Sequence, residues 1–335
     1  MVVCGTGSSP SHRHTGNRHT GNRHRKGRDV SAVLKHVWKT AQRALRIFLI
    51  LWVAAVVVLG FLQRKLMYHP SVAESLPVRE HGFITRLFPD STDVEFASSN
   101  GQTVRAWYLC QDASSVRDRQ LILFLHGNGG NRASRVAWYE LLNQVRCDVL
   151  AIDYQGYGDS SGKPTQANVE NDSIGAWSYA VEQLGYTPAE IVIVGTSLGG
   201  AAAVHVASIQ CKTNAAPAGL VTVSSFSSML DVVSSMYRWV PVKAILLDQY
   251  PSSNKIGGVT SPFIHFHGDA DRVVEQHFGR QLFEAAPDES ASGRLKRWVS
   301  LQDVGHNDVV HTAGERVREE LKVFLVSVAA GVAER

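Results

Sequence analysis

From residue 120 onward, short runs of apolar residues alternate with longer segments in which apolar residues recur at helical spacing. We expect strands where short runs of aliphatic and β-branched residues end in turn signals, at 120–127, 148–154, 191–195, 219–225, 262–268 and 294–301. Helical spacing of apolar residues marks the intervals 133–146, 167–184, 198–211, 276–286 and 315–329. Strands that alternate with helices in this way predict an α/β fold with a mostly parallel central sheet and helices on both faces.

Two further candidate strands come before this region. Residues 93–97 and 103–110 are joined through Asn100-Gly101, a dipeptide that suits the tight turn of a hairpin. They predict an antiparallel hairpin or meander that leads into the sheet.

The connection between the fourth and fifth of the predicted strands is too long for a plain connection. Its apolar residues predict one or two helices, so that residues 225–261 form a short apolar lid insertion. The apolar face of these helices either packs inward on the core or faces a substrate. In the second case an acyl chain is the natural occupant, and we expect it to contact Trp239, Leu246 and Leu247.

The first 62 residues follow different patterns. Residues 1–28 contain a tandem Thr-Gly-Asn-Arg-His repeat and almost nothing apolar, a composition typical of disorder. Residues 29–46 predict a basic amphipathic helix that suits an anionic membrane surface. Residues 47–62 carry no charge, and we expect the body of the protein to occupy residues 66–335.

Three interpretations of the uncharged run 47–62 compete. A cleaved signal peptide is disfavoured because 46 residues precede the run and Gln63-Arg64-Lys65 follow it. A run this short also suits a buried core helix, but the preceding sequence is unfit to cover one. A single-pass transmembrane anchor is therefore favoured, with flanking basic side chains that reach the two interfaces.

The distribution of basic residues indicates an orientation for such an anchor. More Lys and Arg residues lie within about twenty positions of its N-terminal end than of its C-terminal end, which favours a cytoplasmic N-terminus and a lumenal or external body. A mitochondrial presequence stays open as an alternative, because the N-terminal region is rich in Arg and poor in acids.

The charge of the chain is unevenly distributed. Ten of the 34 Lys and Arg residues lie in residues 1–46 with a single acid, Asp29, so the remainder carries 24 basic and 29 acidic side chains. Any attraction to anionic surfaces therefore belongs to the N-terminal region. The basic tail has no interleaved aromatic residues and the histidines are dispersed, so the sequence indicates no nucleic-acid binding, no metal site and no cofactor.

The candidate chemistry begins at Gly195-Thr196-Ser197-Leu198-Gly199, which follows an apolar strand and opens an Ala-rich helix. In this context a G-x-S-x-G segment forms a nucleophile elbow. The serine adopts a strained turn, and the two glycines let strand and helix approach closely. We expect Ser197 to be a nucleophile beside a helix N-terminus, where the dipole and free amides favour a developing oxyanion.

A serine nucleophile needs a base, and the base needs an acid that fixes its tautomer. Asp269 and Asp271 follow the strand at 262–268, and His306 lies in a loop before the final helix. We expect Asp271 to be the acid and His306 the base. Asp269 is the alternative acid, although its position suits a bond to the backbone of its own turn.

Five motifs in order resemble those of the alpha/beta-hydrolase superfamily: HGNGGN (126–131), DYQGYGDSSG (153–162), GTSLGG (195–200), HGDADRVV (267–274) and GHND (305–308). With the N-terminal apolar run, they resemble more narrowly the membrane-anchored alpha/beta hydrolase domain-containing proteins, particularly type 13 and the bud-emergence homologues, with types 12 and 17 as cousins. The resemblance covers about residues 66–328. Those relatives usually have Arg after Asp-Tyr, whereas this chain has Gln155, which puts a local salt bridge in doubt but not the chemistry.

The resemblance implies the alpha/beta-hydrolase fold with a triad of Ser197, Asp271 and His306. It also implies that the backbone amides of Asn128 and Leu198 form the oxyanion hole. The glycines beside Asn128 agree with this, because they let the loop turn its N–H groups inward.

Triad, anchor and apolar lid together predict a membrane-anchored serine hydrolase that cleaves a lipid ester or thioester through an acyl-enzyme. Its expected partners are the membrane and a lipid or acylated substrate. The choice among a lysophospholipase, a monoacylglycerol lipase and an acyl-protein thioesterase stays open. A serine peptidase is an alternative, as is a catalytically silent scaffold that keeps the fold.

Overall fold

The structure is a computed structural model that describes residues 30–112 and 120–333, so the predicted disordered tail, residues 1–28, lies outside the described residues. By its internal contacts the chain divides into two units, Met1–Ala55 and Val56–Arg335. The second unit therefore begins upstream of residue 66, where the sequence predicts that the body begins.

The first helix, α1, extends over Val30–Met67. It contains residues 30–46 of the predicted basic helix 29–46 and the uncharged run 47–62, which the sequence predicts as separate elements. With 38 residues, it is about 57 Å long at 1.5 Å per residue. Among the helices in the described part of the chain, it is the one long and apolar enough to cross a membrane, judged by length and composition.

The second unit contains the remaining helices and all the strands that the structure describes. The α-helices are α2 Gly82–Leu87, α3 Val136–Gln144, α4 Gln166–Glu182, α5 Leu198–Lys212, α6 Met229–Met236, α7 Val242–Ile245, α8 Ser252–Ile256, α9 Gln276–Ala285 and α10 Val309–Ala333. Short 3-10 helices occupy Val78–Glu80, Arg132–Arg135 and Pro188–Glu190. The strands are β1 His69–Pro70, β2 Thr92–Ala97, β3 Thr103–Leu109, β4 Leu121–Leu125, β5 Gly129–Gly130, β6 Asp148–Asp153, β7 Ile191–Thr196, β8 Gly219–Val223, β9 Phe263–Gly268 and β10 Arg297–Leu301.

Eight of these strands form one sheet in the order β10-β9-β8-β7-β4-β6-β3-β2. Neighbours from β10 to β6 pair in parallel, whereas β3 runs antiparallel to both β6 and β2. The β2–β3 pair is the antiparallel lead-in that residues 93–97 and 103–110 predict. The predicted fold class, a mostly parallel sheet with helices on both faces, is confirmed.

Alternate residues of the central strands enter two separate cores, one on each face of the sheet. In β4, Leu121, Leu123 and Leu125 belong to one core, while Ile122 and Phe124 belong to the other. All five side chains are buried. A strand that is covered on both faces is apolar at every position, and this is why the sequence shows continuous apolar runs there.

The predicted lid segment, residues 225–261, folds into three short helices. Helices α6 and α7 contact each other, whereas α8 packs on α5 and α9. Helix α8 therefore belongs to the body. We call residues 229–248, which contain α6, α7 and the residues after them, the lid.

The residues that follow α1 form a small feature that the sequence does not predict. Strand β1 pairs in parallel with β5, which lies in the loop after β4. The Ser71 N–H extends this pairing by donating to the Gly130 carbonyl oxygen at 2.9 Å. The end of α1 is thereby tied to the HGNGGN loop, residues 126–131.

Candidate active site

Ser197 occupies the turn between β7 and α5. Its φ of +51° and ψ of −117° form a strained conformation for a residue with a side chain. The turn needs glycine on both sides: a Cβ on Gly195 would collide with the backbone of Gly199, and a Cβ on Gly199 would collide with the Leu125 carbonyl oxygen. The Ser197 N–H donates to the Val223 carbonyl oxygen at 2.8 Å, which fixes the turn against β8. The segment therefore has the geometry of a nucleophile elbow.

His306 lies between Ser197 and Asp271. Its Nε2 is 3.0 Å from Ser197 Oγ, and its Nδ1 is 2.7 Å from Asp271 Oδ2. A carboxylate only accepts hydrogen bonds, so Nδ1 carries a proton and Nε2 of the neutral ring is free to accept from the serine hydroxyl. In this arrangement the imidazole can take the serine proton.

The carboxylate of Asp271 is held by several donors. Its Oδ1 accepts the backbone N–H groups of Val273 at 2.9 Å and Val274 at 2.8 Å. Burial raises the pKa of this carboxyl, but hydrogen bonds from His267 and His306 lower it by more than burial raises it. The net pKa lies well below the usual range. Asp271 is therefore ionised at neutral pH.

Asp269, the alternative acid, is exposed. Its Oδ1 accepts the N–H of Asp303 at 2.7 Å, so it binds the backbone of the loop after β10. Of the two carboxylates, the structure brings Asp271 and not Asp269 to His306.

The two residues predicted to form an oxyanion hole lie on segments that border Ser197. Leu198 is the first residue of α5, where backbone N–H groups have no partner within the helix and the helix dipole favours negative charge. The loop with Asn128 also packs on the serine, since a Cβ on Gly127 would lie 3.4 Å from Ser197 Cβ. Stabilisation of an oxyanion by these two amides stays a prediction.

Asn128 is fixed by the residues that end and follow α1. Its side-chain Nδ2 donates to the Met67 carbonyl oxygen at 2.8 Å. Its own carbonyl oxygen accepts the His69 N–H at 3.0 Å and the Tyr157 hydroxyl at 2.7 Å. No sequence motif predicts these contacts, because a two-residue strand pair has no periodicity to detect.

A row of buried side chains leads from Asp271 into the sheet. His267 Nε2 is 2.8 Å from the Val274 carbonyl oxygen and 3.5 Å from Asp271 Oδ2. His267 Nδ1 is 3.0 Å from His265 Nε2, and His265 Nδ1 is 2.6 Å from Thr222 Oγ1. We call Thr222, His265 and His267 the histidine row.

The Val274 carbonyl oxygen determines which groups of the histidine row donate and which accept. A carbonyl oxygen cannot donate, so His267 carries its proton on Nε2 and accepts at Nδ1. His265 then donates from Nε2, and the Thr222 hydroxyl donates to His265 Nδ1. Burial lowers the pKa of His265 well below its usual range, which keeps this ring neutral. The row thus fixes His267 beside Asp271.

An apolar cavity of about 340 Å³ opens beside Ser197 and His306. Its walls come from the C-terminal end of α1 and from the lid, with lining residues that include Leu59, Met67, Val232, Val233, Val240 and Ile245. Leu246, which the sequence predicts to contact an acyl chain, also lines this cavity.

The other two predicted contact residues do not line the cavity. Trp239 and Leu247 are 55% and 63% exposed. Leu246 has an extended backbone, with φ −72° and ψ 116°, and successive side chains of extended backbone leave on opposite sides. This explains why Leu246 is buried and Leu247 is not. Trp239 lies in the turn between α6 and α7.

A second cavity of about 470 Å³ also borders Ser197, His306 and Asn128. Its other walls come from the HGNGGN loop, α3 and the start of α10, and many of its lining residues are polar: Ser134, Arg135, Thr196, Ser224 and His311. Among the residues that the structure describes, no Asp or Glu lines this cavity. Ser197 and His306 therefore lie where an apolar and a polar cavity meet.

No group of three or more His, Cys, Asp or Glu residues is placed to hold a metal ion within residues 30–112 and 120–333. His306 belongs to the triad geometry, and His265 and His267 belong to the histidine row.

Comparisons with known proteins agree with this architecture. The family model for the alpha/beta hydrolase fold matches residues 120–256. An uncharacterized protein of Mycobacterium tuberculosis is 31% identical over 290 residues, which cover 86% of this chain and 96% of that protein. A solved structure, an esterase of Pyrococcus furiosus, superposes with a TM-score of 0.58 at 17% identity, covering 78% of this chain and 99% of the esterase.

Alpha/beta hydrolase domain-containing protein 17C of Xenopus tropicalis is 32% identical over 213 residues, which cover 63% of each chain. This chain therefore spans less than two thirds of that relative. Type 17 is one of the cousin branches that the motifs resemble. Together with the nearly full-length mycobacterial relative, the family model and the fold, these similarities show that the chain belongs to the alpha/beta-hydrolase superfamily.

Proposed function

We propose that the protein is a membrane-anchored serine hydrolase that cleaves an ester or thioester of a lipid or acylated molecule. The observation that carries this proposal is the position of Ser197 and His306 at the junction of the two cavities. The acyl chain of the substrate occupies the apolar cavity, the carbonyl carbon lies at Ser197 Oγ, and the leaving group occupies the polar cavity.

The reaction proceeds through an acyl-enzyme. His306 Nε2 takes the hydroxyl proton as Ser197 Oγ attacks the carbonyl carbon, and the Asn128 and Leu198 amides stabilise the oxyanion. The proton then passes from His306 to the leaving alcohol or thiol as its bond to the carbonyl carbon breaks. Water repeats the two steps on the acyl-enzyme and releases the acid. Asp271 holds the imidazole in the required tautomer throughout.

The charge of the residues that line the polar cavity indicates which leaving groups fit it. Arg135 lines it, and none of its lining residues in the described part of the chain is a carboxylate. A neutral or anionic polar group, such as a glycerol or a phosphate-containing head group, fits this charge better than a cationic one.

The proposed location is a membrane that α1 crosses once. The basic residues before the apolar run favour a cytoplasmic N-terminus, with the hydrolase body on the lumenal or external side.

Hydrolysis of acyl esters by the full-length protein tests the proposed activity. In detergent solution we expect turnover of butyryl and palmitoyl esters, and Ser197→Ala is expected to lower both rates by about 10⁶-fold because it removes the nucleophile and almost no volume. Ser292→Ala, at an exposed loop position, is the matched control and is expected to retain the wild-type rate. No turnover by the wild-type protein, or full turnover by Ser197→Ala, would contradict the proposal.

A further inference from the structure

The last turns of α1 are joined to the lid by the side chain of Gln63. Its Nε2 donates to the Ile245 carbonyl oxygen at 3.0 Å, and its Oε1 accepts the Leu247 N–H at 2.7 Å. One amide group therefore binds the lid backbone on both sides of Leu246, the residue that lines the apolar cavity.

A second joint lies one residue further along the helix. Arg64 Nε and Nη2 donate to the two carboxylate oxygens of Asp248 at 2.9 and 3.2 Å. The Asp248 side chain is buried and also accepts the Tyr68 hydroxyl at 3.1 Å. A bidentate pair with a buried carboxylate fixes geometry, and removal of the guanidinium leaves a buried charge without its cation. We call Gln63, Arg64 and Asp248 the lid clamp.

One face of α1 continues from the lid clamp into the predicted membrane span. Val56, Leu59, Gln63 and Met67 follow each other at three- and four-residue spacings, which places them on the same side of the helix. Leu59, Gln63 and Met67 line the apolar cavity, and Leu59 belongs to the uncharged run 47–62. The wall of the cavity thus includes a residue of the span itself.

The rim of the apolar cavity is itself apolar. Leu66, Met236, Tyr237 and Val273 all line the cavity, yet they are 54%, 52%, 40% and 50% exposed. Residues that are both lining and exposed mark the mouth. Exposed apolar side chains around a cavity mouth are unfavourable in water and suit contact with lipid.

The position of the lid clamp along α1 indicates where the mouth of the apolar cavity lies relative to the membrane. Gln63 directly follows the uncharged run, and Arg64 and Lys65 are the first charges after it. Charged residues that end a membrane span lie at the interface between the hydrocarbon and water. The residues that hold the lid are therefore those at which α1 leaves the hydrocarbon.

We propose that the C-terminal end of α1 is part of the substrate site, and that the lid clamp holds the mouth of the apolar cavity at the bilayer surface. The cavity then receives long acyl chains directly from lipids of the membrane that α1 crosses. Gln63 and Arg64 are positioning residues in this scheme, because they act through the lid. The inference rests on the proposed function.

Chain-length selectivity in a bilayer tests this inference. The full-length protein is placed in phosphatidylcholine vesicles, and kcat/KM is measured for a vesicle-embedded palmitoyl ester and for a water-soluble butyryl ester. Arg64→Ala and Gln63→Ala are each expected to lower the palmitoyl-to-butyryl ratio about 10-fold or more, the range typical of a disturbed hydrophobic pocket. Arg64→Lys is expected to recover part of the ratio because it keeps the charge. Lys65→Ala, the adjacent exposed cation, is the matched control and is expected to keep the wild-type ratio.

The possible results separate the inference from the proposed function. An unchanged ratio in Arg64→Ala and Gln63→Ala overturns the inference, as does an equal loss on both esters with a lowered Tm, which indicates a purely stabilising role. Both results leave the proposed function intact, since the wild-type protein hydrolyses its substrates. Failure of the wild-type protein to hydrolyse either ester contradicts the proposed function and the inference with it.

Discussion

Ser197, Asp271 and His306 come from three loops at the carboxyl ends of neighbouring parallel strands. Ser197 follows β7, Asp271 follows β9 and His306 follows β10, and β8 lies between the first two in the sheet. Because parallel strands end at the same edge, short loops suffice to bring these side chains within 3.0 Å of their partners. The site geometry is thus a direct result of strand order.

The identity of the acid gives a sharp prediction. Asp271→Asn is expected to lower kcat by about 10³–10⁴-fold, because an amide favours the wrong imidazole tautomer. Asp269→Asn, two residues away, is the matched control and should cost far less, because the Asp269 carboxylate binds only the Asp303 backbone among the hydrogen bonds described. Steady-state kinetics of the two variants on one ester decide the matter, and the reverse ranking would show that Asp269 is the acid.

Gln155 gives a prediction about pH. Asp172 accepts the Gln155 backbone N–H at 2.8 Å and its Nε2 at 2.7 Å, and burial raises the pKa of this carboxyl. A carboxyl whose folded-state pKa is raised contributes stability below its unfolded pKa, near 3.9, and loses it as pH rises through the folded pKa. Gln155→Arg supplies a cation that lowers the pKa of Asp172. Each pKa unit of lowering adds about 1.4 kcal/mol to the free energy of unfolding at a pH where the carboxyl is ionised.

The difference in Tm between Gln155→Arg and the wild-type protein is therefore expected to be larger, in favour of the variant, at about pH 7 than at about pH 4. Gln155→Met, of similar length but uncharged, is the control and should show no such gain. Thermal melts at both pH values measure the effect. Equal Tm differences at pH 4 and pH 7 for the Arg variant would argue against this account of Asp172.

At the residue scale, the sequence predicts those site residues that belong to compact motifs. Ser197, Asp271 and His306 each lie in a short segment whose glycines and neighbours mark its role. The side on which a lid residue lies cannot be predicted in this way, because Leu246 and Leu247 are the same residue type and differ in exposure only through the backbone turn after α7.

Elements of the sheet follow from patterns that are long and regular. The strands β4, β7 and β8 are apolar at most positions, β6 and β9 contain shorter apolar stretches, and the helices between the strands repeat at helical spacing, so the order of elements is readable. The pairing of β1 with β5 involves two residues on each side and leaves no such pattern. Its register depends on tertiary contacts of α1 and the HGNGGN loop.

The lid gives a prediction at the scale of one element. Leu246→Ala removes an apolar side chain from the cavity wall and is expected to lower kcat/KM for long-chain esters by about 10- to 200-fold, with little effect on acetyl esters. Leu247→Ala, the exposed neighbour, is the control. In detergent solution it is expected to leave kcat/KM unchanged for both long-chain and acetyl esters. Chain-length profiles of both variants, measured beside their melting curves, provide the test. Equal losses on acetyl and palmitoyl esters in Leu246→Ala would exclude an acyl pocket at this residue.

At the scale of the whole molecule, α1 belongs both to the predicted anchor and to the unit that contains the sheet. The sequence predicts an anchor and a hydrolase body joined near residue 66, whereas the second unit begins at Val56 and includes the last turns of the helix. Contacts of α1 with the lid and with Asn128 join residues more than 60 positions apart. Such contacts cannot be read from local periodicity.

Membrane association gives a prediction at this scale. With α1 as an uncleaved anchor, the protein is expected to remain in the membrane pellet after alkaline carbonate, because the uncharged run stays in the hydrocarbon. In sealed microsomes, added protease should digest the N-terminal region and spare the body. Release by carbonate would contradict the anchor, and digestion of the body with a protected N-terminus would reverse the proposed orientation.

The central claim, that Ser197 is the nucleophile of a hydrolase, is tested most directly by mapping a covalent adduct. A fluorophosphonate reacts with a serine only when a neighbouring base activates it, and mass spectrometry of the digested protein locates the modified residue. We expect one adduct, on Ser197, that disappears in Ser197→Ala and is strongly reduced when His306 is replaced by Ala. Absence of an adduct on the folded wild-type protein, or an adduct on another serine, would contradict it.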